Sequence, residues 1–352
     1  MVRPVEMVVA FPKGRGVQWW AERNAAGPVP GLWPYGLDRL QPDDVTDQGD
    51  PAPHVKAVEV AGLGRGTRLI GRVAGLGVLT ADGSPGRVGL CWSESLAPAL
   101  LHQVQAERRF AGVIWATDQV ASDDRSPQIR LIRKALLRLD GLWVLSRPQV
   151  AAVQSWLGPG CPPVHAVQFG VDPAFYRAVP YPADPMLVSI GGDRDRDPET
   201  LFAALEIILD RRPDLKVVVQ SRSTRAAPHG VRTEAFIPHD EVRRLYAQAS
   251  VVALATRPNL HGSGMTVSLE AMSVGRPVVA TRTPGMEDYV VDGNTGYLVD
   301  PGDSSQLAAK VLHLLDNATA AAAMGERGRS RVLDRHTTDT MCAQLRDICT
   351  ST

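Results

Sequence analysis

Beyond residue 184, short β-branched runs alternate regularly with amphipathic stretches of helical length. The apolar runs occupy Met186 to Ile190, Lys216 to Gln220, Val231 to Ile237, Val251 to Ala255, Pro277 to Thr281 and Gly296 to Val299. Each has the length of a strand and is bounded by turn residues. Helical spacing of apolar residues fills Pro198 to Arg211, Asp240 to Ala249, Thr266 to Val274 and Ser304 to Leu315. Pro198 stands in the first turn of one, and Asp303 is placed to cap another. Strands joined by crossover helices predict a doubly wound parallel sheet. Ligands of such sheets bind beyond the carboxyl ends of the strands, so chemistry is expected in the loops after Ile190, Ala255 and Thr281.

The first half is patterned less sharply. Glu6 to Phe11, Val55 to Val60, Arg87 to Trp92, Gly112 to Ala116 and Gly141 to Leu145 read as strands, with helices at Ser95 to Arg108 and Gln128 to Leu139. Residues 27 to 53, rich in Pro, Gly and Asp, read as a long loop over the sheet. The junction between halves falls in FGVDPAFYRAVPYPADP, from Phe169 to Pro185, where periodicity stops. A last helix, Thr337 to Ile348, carries Met341, Leu345 and Ile348 on one side.

Composition narrows the function classes. At about 150 residues per domain, 352 residues predict two domains. The 38 Lys and Arg cancel the 38 Asp and Glu, leaving no net basic field for a nucleic-acid partner. Hydrophobic residues at 44% and charged residues at 22% describe an ordinary globular chain. Cys91, Cys161, Cys342 and Cys349 lack metal or disulfide spacing, and read as isolated buried thiols in a reducing cytoplasm. No run reaches the ~18 apolar residues of a membrane span, so a cytoplasmic location is expected.

The richest stretch is NLHGSGMTVSLEAMSVG, from Asn259 to Gly275. Its loop of His261, Gly262, Ser263 and Gly264 feeds a helix starting near Met265, and amides at such a start favour an anion like a diphosphate. Glu270, one turn in, offers a carboxylate to vicinal hydroxyls, as a ribose or hexose presents; the alternative is a tight turn with a surface Glu. GLGRG at 62 to 66 lacks the spacing and acidic partner of a dinucleotide fingerprint. Arg130, Arg133, Lys134 and Arg138 make one helix basic; a solvated polar face is favoured over a weak peripheral membrane contact.

LEAMSVGRPVVAT followed by DYVVDGNTGYLVDPGD resembles the C-terminal domain of the retaining nucleotide-sugar glycosyltransferases of family 4, the glycosyl transferases group 1. The resemblance extends through FIPHDEVRRLYAQASVVALAT and back to FGVDPAFYRAV, covering Val167 to Arg331. The first half is similar only in outline, through LDGLWVLSRPQVAAV and its strand order. The resemblance implies an α/β GT-B fold: two facing Rossmann-like domains with parallel sheets and an interdomain cleft. Its domains would be residues 1–170, holding acceptor, and 171–335, holding the nucleotide sugar. Residues 336–352 would form a C-terminal helix packing back on the first domain. It further implies transfer of a sugar, with retention and without metal or other cofactor, from a nucleotide diphosphate sugar to a hydroxyl acceptor. That acceptor would be a small molecule, glycan or glycolipid.

Carried over by position, the resemblance makes Glu270 the second glutamate of the family's E-x7-E motif, holding the donor ribose. Gly262 stands where the first glutamate would be, and His261 is placed to fill that space. The backbone of Gly264, Met265 and Thr266 would face sugar and diphosphate. In IGGDRDRDPETL, Arg196 falls at the family's lysine position, and Arg194 would supply a second charge. Charge building on the leaving diphosphate needs such fixed cations. The alternative is a solvated, self-paired charge run. Asp118 falls where the family places a residue near the sugar, or else caps a helix; Glu94 reads as a cap for the helix beginning at Ser95. Lys13, Arg15 and Gly16 occupy the loop after the first strand, where a phosphate or acceptor contact is implied. Trp33 and Tyr35 are placed as an acceptor wall. Rival functions are a non-catalytic sugar-nucleotide-binding partner subunit, and a phosphorylase or trehalose-type synthase of the same fold.

Overall fold

The structure is a computed structural model, and it describes residues 7–14, 17–27, 29–41, 54–61, 86–121 and 123–351. Two compact units emerge. The first holds Met1–Ala26, Gly31–Val167 and Met341–Thr352; the second holds Gly27–Pro30 and Gln168–Thr340.

The first unit is built on β1 (Met7–Pro12), β2 (Val55–Val60), β3 (Gly86–Cys91), β4 (Ala106–Gly112), β5 (Gly141–Val144) and β6 (Val164–Ala166). They lie parallel in the order β2-β1-β3-β4-β5-β6. The helices are α1 (Val17–Ala25), α2 (Ala97–Gln103), α3 (Ala116–Ala121), α4 (Pro127–Leu136) and α5 (Arg147–Leu157). Ile129, Ile132 and Leu136 of α4 pack with Leu142 and Val144 of β5 in one buried cluster. Residues 62 to 85 and 42 to 53, including the GLGRG run, lie outside the described residues.

The second unit holds β7 (Met186–Ser189), β8 (Lys216–Gln220), β9 (Val231–Glu234), β10 (Val251–Leu254), β11 (Val278–Thr281) and β12 (Gly296–Val299), parallel in the order β12-β11-β10-β7-β8-β9. The order reverses beside β7: β8 and β9 build outward on one side, and β10, β11 and β12 on the other. The helices are α6 (Pro198–Arg211), α7 (His239–Gln248), α8 (Met265–Val274), α9 (Ser304–Leu315) and α10 (Ala318–Arg335). Asp197 Oδ1 accepts from Thr200 N at 3.2 Å to cap α6, and Asp303 Oδ1 from Gln306 N at 2.8 Å to cap α9. Helix α8 is buried on every side except Thr266, as an apolar helix in a doubly wound unit must be. It is crossed by α10 at Gly325, where an added Cβ would lie 2.1 Å from the carbonyl oxygen of Gly275. The chain ends in α11 (Thr338–Thr350), which buries Met341 and Leu345.

Three expectations need correction. The fourth strand is Ala106–Gly112, not Gly112 to Ala116, and the helix before it stops at Gln103. Glu107 and Arg108, expected at the end of that helix, instead lie in β4, and β5 pairs with β4 only from Phe110 onward. Up to Arg108 the strand therefore pairs with β3 alone, while the carbonyl of Arg109 accepts from Asp140 N at 2.8 Å just before β5. Glu94 does not cap the helix at Ser95: its carboxylate accepts from Ile114 N and Trp115 N, both at 2.9 Å, in the turn that precedes α3. Ser93 caps the short helical turn Glu94–Leu96 instead. Finally, Cys161 is only half-buried, unlike the other three thiols.

Candidate functional site

The loop after β7 is organised by a glycine and an arginine. Gly191 takes φ +108°, and a Cβ built on it would lie 2.2 Å from Nη2 of Arg196. Only a glycine leaves room there for the guanidinium. On its other side, Arg196 Nη1 lies 3.4 Å from where a Cβ on Gly264 would stand. The arginine thus fills the space between the loop after β7 and the start of α8. Its Nε meets Asp193 Oδ2 at 2.9 Å, while Nη1 is buried with no acceptor among the described residues.

Asp193 also ties the two loops together. Its Oδ1 accepts from Ser263 Oγ at 2.9 Å and from the amide of Asp195 at 3.0 Å. The amide of Ser263 donates to Asn259 Oδ1 at 2.8 Å. Gly262 and Gly264 both have positive φ, 68° and 95°, which lets the HGSG loop fold back and open α8 at Met265. The first-turn amides of α8 have no intrahelical acceptor, so its positive end is directed at the Arg196 side. His261 is buried, with Nε2 3.7 Å from Asp195 Oδ2. Arg194 is half-exposed and reaches Asp195 at 3.2 Å. The run Asp193 to Arg196 is therefore self-paired, yet Arg196 is held inside it at 15% side-chain exposure.

Glu270 is not the open carboxylate that its place in the sequence suggests. It is buried, and each oxygen accepts a phenol: Oε1 from Tyr176 Oη at 2.8 Å, Oε2 from Tyr246 Oη at 2.9 Å. Burial pushes its pKa up to about 7, opposed by the two phenols and by the Arg196 charge. Ser273, one turn further along α8, donates to the carbonyl of Tyr176 at 2.8 Å. Arg276 is buried and spans both tyrosine-bearing segments, donating to the carbonyls of Tyr246, Ala247, Val179 and Pro180. Sequence reasoning missed Tyr176, Tyr246 and Arg276; an Arg before PVVAT and a Tyr in each neighbouring segment give no spacing signal.

A pocket of about 410 Å³ opens at the carboxyl ends of β7, β8 and β10, beside the reversal in strand order. Arg194 and Arg196 line it, joined by Arg222 and Arg257, which sequence reasoning did not single out. Gln220, Ser221, Ser223 and Thr224 add neutral donors and acceptors. Four arginines against Asp193 and Asp197 make this an anion-accepting wall. Gly262, Met265, Thr266 and Glu270 do not line this pocket.

Lys13 is exposed in the turn after β1, and Arg15 and Gly16 lie outside the described residues. Asp118 is half-buried in the first turn of α3. On α4, Arg133 donates to the carbonyls of Trp156 and Leu157 at the end of α5, so this basic residue serves packing. Among the described residues, no helix is long and apolar enough to cross a membrane. Among them too, no group of three His, Cys, Asp or Glu side chains is placed to hold a metal ion.

Comparison with known proteins bears on the fold and on one segment of the chain. The family model for glycosyl transferases group 1 matches residues 185–317. A GDP-mannose-dependent alpha-(1-6)-phosphatidylinositol monomannoside mannosyltransferase of Mycolicibacterium smegmatis is 33% identical over 179 residues, 49% of this chain and 45% of that protein. The chain thus spans less than half of that relative. HepE of Anabaena, solved with UDP-glucose, superposes with a TM-score of 0.68 at 15% identity over 99% of this chain and 100% of that one. Sucrose-phosphate synthase of Thermosynechococcus elongatus gives a TM-score of 0.66 at 16% identity, over 97% and 98% of the two chains. At such identities the two structures establish the fold class, which is GT-B. Residues 185–317 are a glycosyl transferases group 1 domain, carried by a chain of GT-B fold.

Proposed function

We propose that this chain is a retaining, metal-independent glycosyltransferase that moves a sugar from a nucleotide diphosphate sugar to a hydroxyl acceptor. The observation that carries the reading is Arg196, held between Gly191 and Gly264 with a buried Nη1 that no described protein group accepts from. Such a donor, at the edge of an arginine-lined pocket, suits a diphosphate oxygen. In the reaction the C1–O bond of the donor breaks and its electron pair passes to the diphosphate. The acceptor oxygen bonds to C1, and its proton passes to the departing diphosphate. Arg196, Arg194 and the first amides of α8 neutralise the charge that grows on that group, as fixed dipoles and cations do in a dry site. Glu270, oriented by its two phenols, accepts from the ribose hydroxyls. His261, Gly262 and Ser263 shape the loop that places Met265 and Thr266 toward the sugar, and Asp118 lies on the acceptor's side. Lys13 meets a donor or acceptor phosphate, and Arg15 and Gly16 belong to the same loop in sequence.

The test is release of nucleoside diphosphate from a panel of UDP, GDP, dTDP and ADP sugars by the purified chain, with and without glycoside acceptors. Arg196→Ala and Glu270→Ala should each lower turnover at least about tenfold. Turnover within about a factor of two of wild type would refute the site assignment. Binding without release for every donor would refute catalysis. The anomeric configuration of the product reports retention, and full activity after chelation reports metal independence.

A further inference from the structure

The first unit presents an aromatic ring in an unusual posture. Tyr35 takes φ 62° and ψ 10°, a left-handed conformation that favours glycine or asparagine. Its ring is stacked on Trp92, centroids 4.4 Å apart and planes 16° from parallel. Trp92 is the residue after β3, so the stack stands at the carboxyl end of the parallel sheet, the end where ligands of such sheets bind. Trp92 is buried beneath, yet Tyr35 remains 47% exposed.

The segment that carries Tyr35 is fixed on several sides. Pro34, Leu37 and Leu40 are buried anchors. Asp38 Oδ1 accepts from Trp33 N at 3.0 Å. Arg346 of α11 donates to the carbonyl of Arg39 at 2.7 Å. Trp33 in turn stands edge-on to Phe11 at the end of β1. An exposed ring on a strained, well-anchored backbone gains little from burial. The conformation is explained if the ring's outer face has a partner of its own.

We propose that Tyr35, backed by Trp92, is a stacking platform for the hexopyranosyl ring of a sugar-bearing acceptor. The electron-rich face of an aromatic ring attracts the polarised C–H bonds on the flat face of a pyranose, whose hydroxyls project sideways and stay hydrated. A small phosphate or carboxylate acceptor has no such face. This inference rests on the glycosyltransferase reading for its catalytic meaning, but binding to the platform is measurable without turnover.

The experiment is ligand-observed saturation-transfer NMR on the full chain with methyl α-D-glucopyranoside, methyl α-D-mannopyranoside and methyl β-D-galactopyranoside. Wild type should saturate the ring C–H protons of one pyranose face for at least one glycoside. Tyr35→Trp should retain the effect, and Tyr35→Asn should weaken affinity about three- to tenfold. Asparagine tolerates the left-handed backbone, so that variant keeps the fold, checked by its circular dichroism. Equal binding by Tyr35→Asn and wild type overturns the platform, as does the absence of saturation for all three glycosides. If no sugar nucleotide is turned over while the binding difference holds, the glycosyltransferase reading fails and the platform stands.

Discussion

The phenol of Tyr176 donates to Oε1 of Glu270 at 2.8 Å, and neither group is open to solvent. Tyr176 lies near the start of the second unit's main segment, ten residues before β7 begins, whereas Glu270 lies mid-way along α8. The pair therefore joins distant parts of the chain through one carboxylate, and its protonation matters. With its pKa pushed up to about 7, Glu270 is part-protonated at neutral pH.

Removing the phenol should raise that pKa further, because the bond stabilises the ionised form against the cost of burial. In Tyr176→Phe, nucleoside diphosphate affinity should become more pH-dependent near neutrality, with its midpoint moved above about 7. Isothermal titration across pH 6 to 9, a range set on either side of the expected midpoint, reads this directly. An unmoved midpoint with an unchanged affinity would separate Glu270 from the ligand.

Gly191→Ala places a methyl group 2.2 Å from Nη2 of Arg196, on a backbone at φ +108°. Both the strain and the collision act, so we expect a stability loss of about 1–3 kcal/mol together with displacement of the arginine. Turnover should fall by about tenfold or more while the fold persists in circular dichroism. A variant that lost stability but kept full turnover would show that Arg196 need not occupy this position.

Arg276 holds four backbone carbonyls from two segments. Truncation to Ala leaves those acceptors buried, and unsatisfied buried groups cost about 1–3 kcal/mol each before relaxation. Chemical denaturation of Arg276→Ala should show a loss of about 3 kcal/mol or more, with Arg276→Lys intermediate because a point charge cannot span four acceptors. Nucleotide affinity should fall in parallel, since Tyr246 is attached to the same arginine.

Two buried groups give the second unit opposing pH responses. His336 is buried, with its pKa lowered to about 4 by burial and by Arg331 and Arg335. The unfolded chain takes up its proton near pH 6.5, the folded chain not until about 4, so stability falls with acid across that window. Glu270 works the other way: the folded chain holds its proton up to about 7 and the unfolded chain only to 4.5, so stability falls as pH rises between these values. His336→Gln and Glu270→Gln should therefore tilt the stability–pH curve in opposite directions between about pH 4.5 and 6.5. Denaturation at a series of pH values checks both signs.

Much of the second unit is legible in the chain. Lys216 to Gln220, Pro198 to Arg211, Gly296 to Val299 and Ser304 to Leu315 form as their patterns predict, because a parallel strand buried on both faces reads as an unbroken apolar run. Helix α10 was not legible: its Gly325 and Gly328 argue against a helix locally, and only the close crossing over α8 explains them. The site divides in the same way. Arg194 and Arg196 follow from position after a strand. The phenols on Glu270 do not, since contacts between residues 94 and 24 positions apart leave no periodic trace.

Asp193 has one further consequence. It occupies Arg196 Nε and Ser263 Oγ at once, and so acts as a resident anion within the arginine pocket. In the proposed reaction an arriving diphosphate competes with a carboxylate that never leaves, which caps ground-state affinity and speeds departure of the spent nucleotide. Neutralising it in Asp193→Asn should tighten nucleoside diphosphate binding and slow its dissociation. The internal counter-ion would then be a release device, setting how long the product stays rather than how fast the bond is broken.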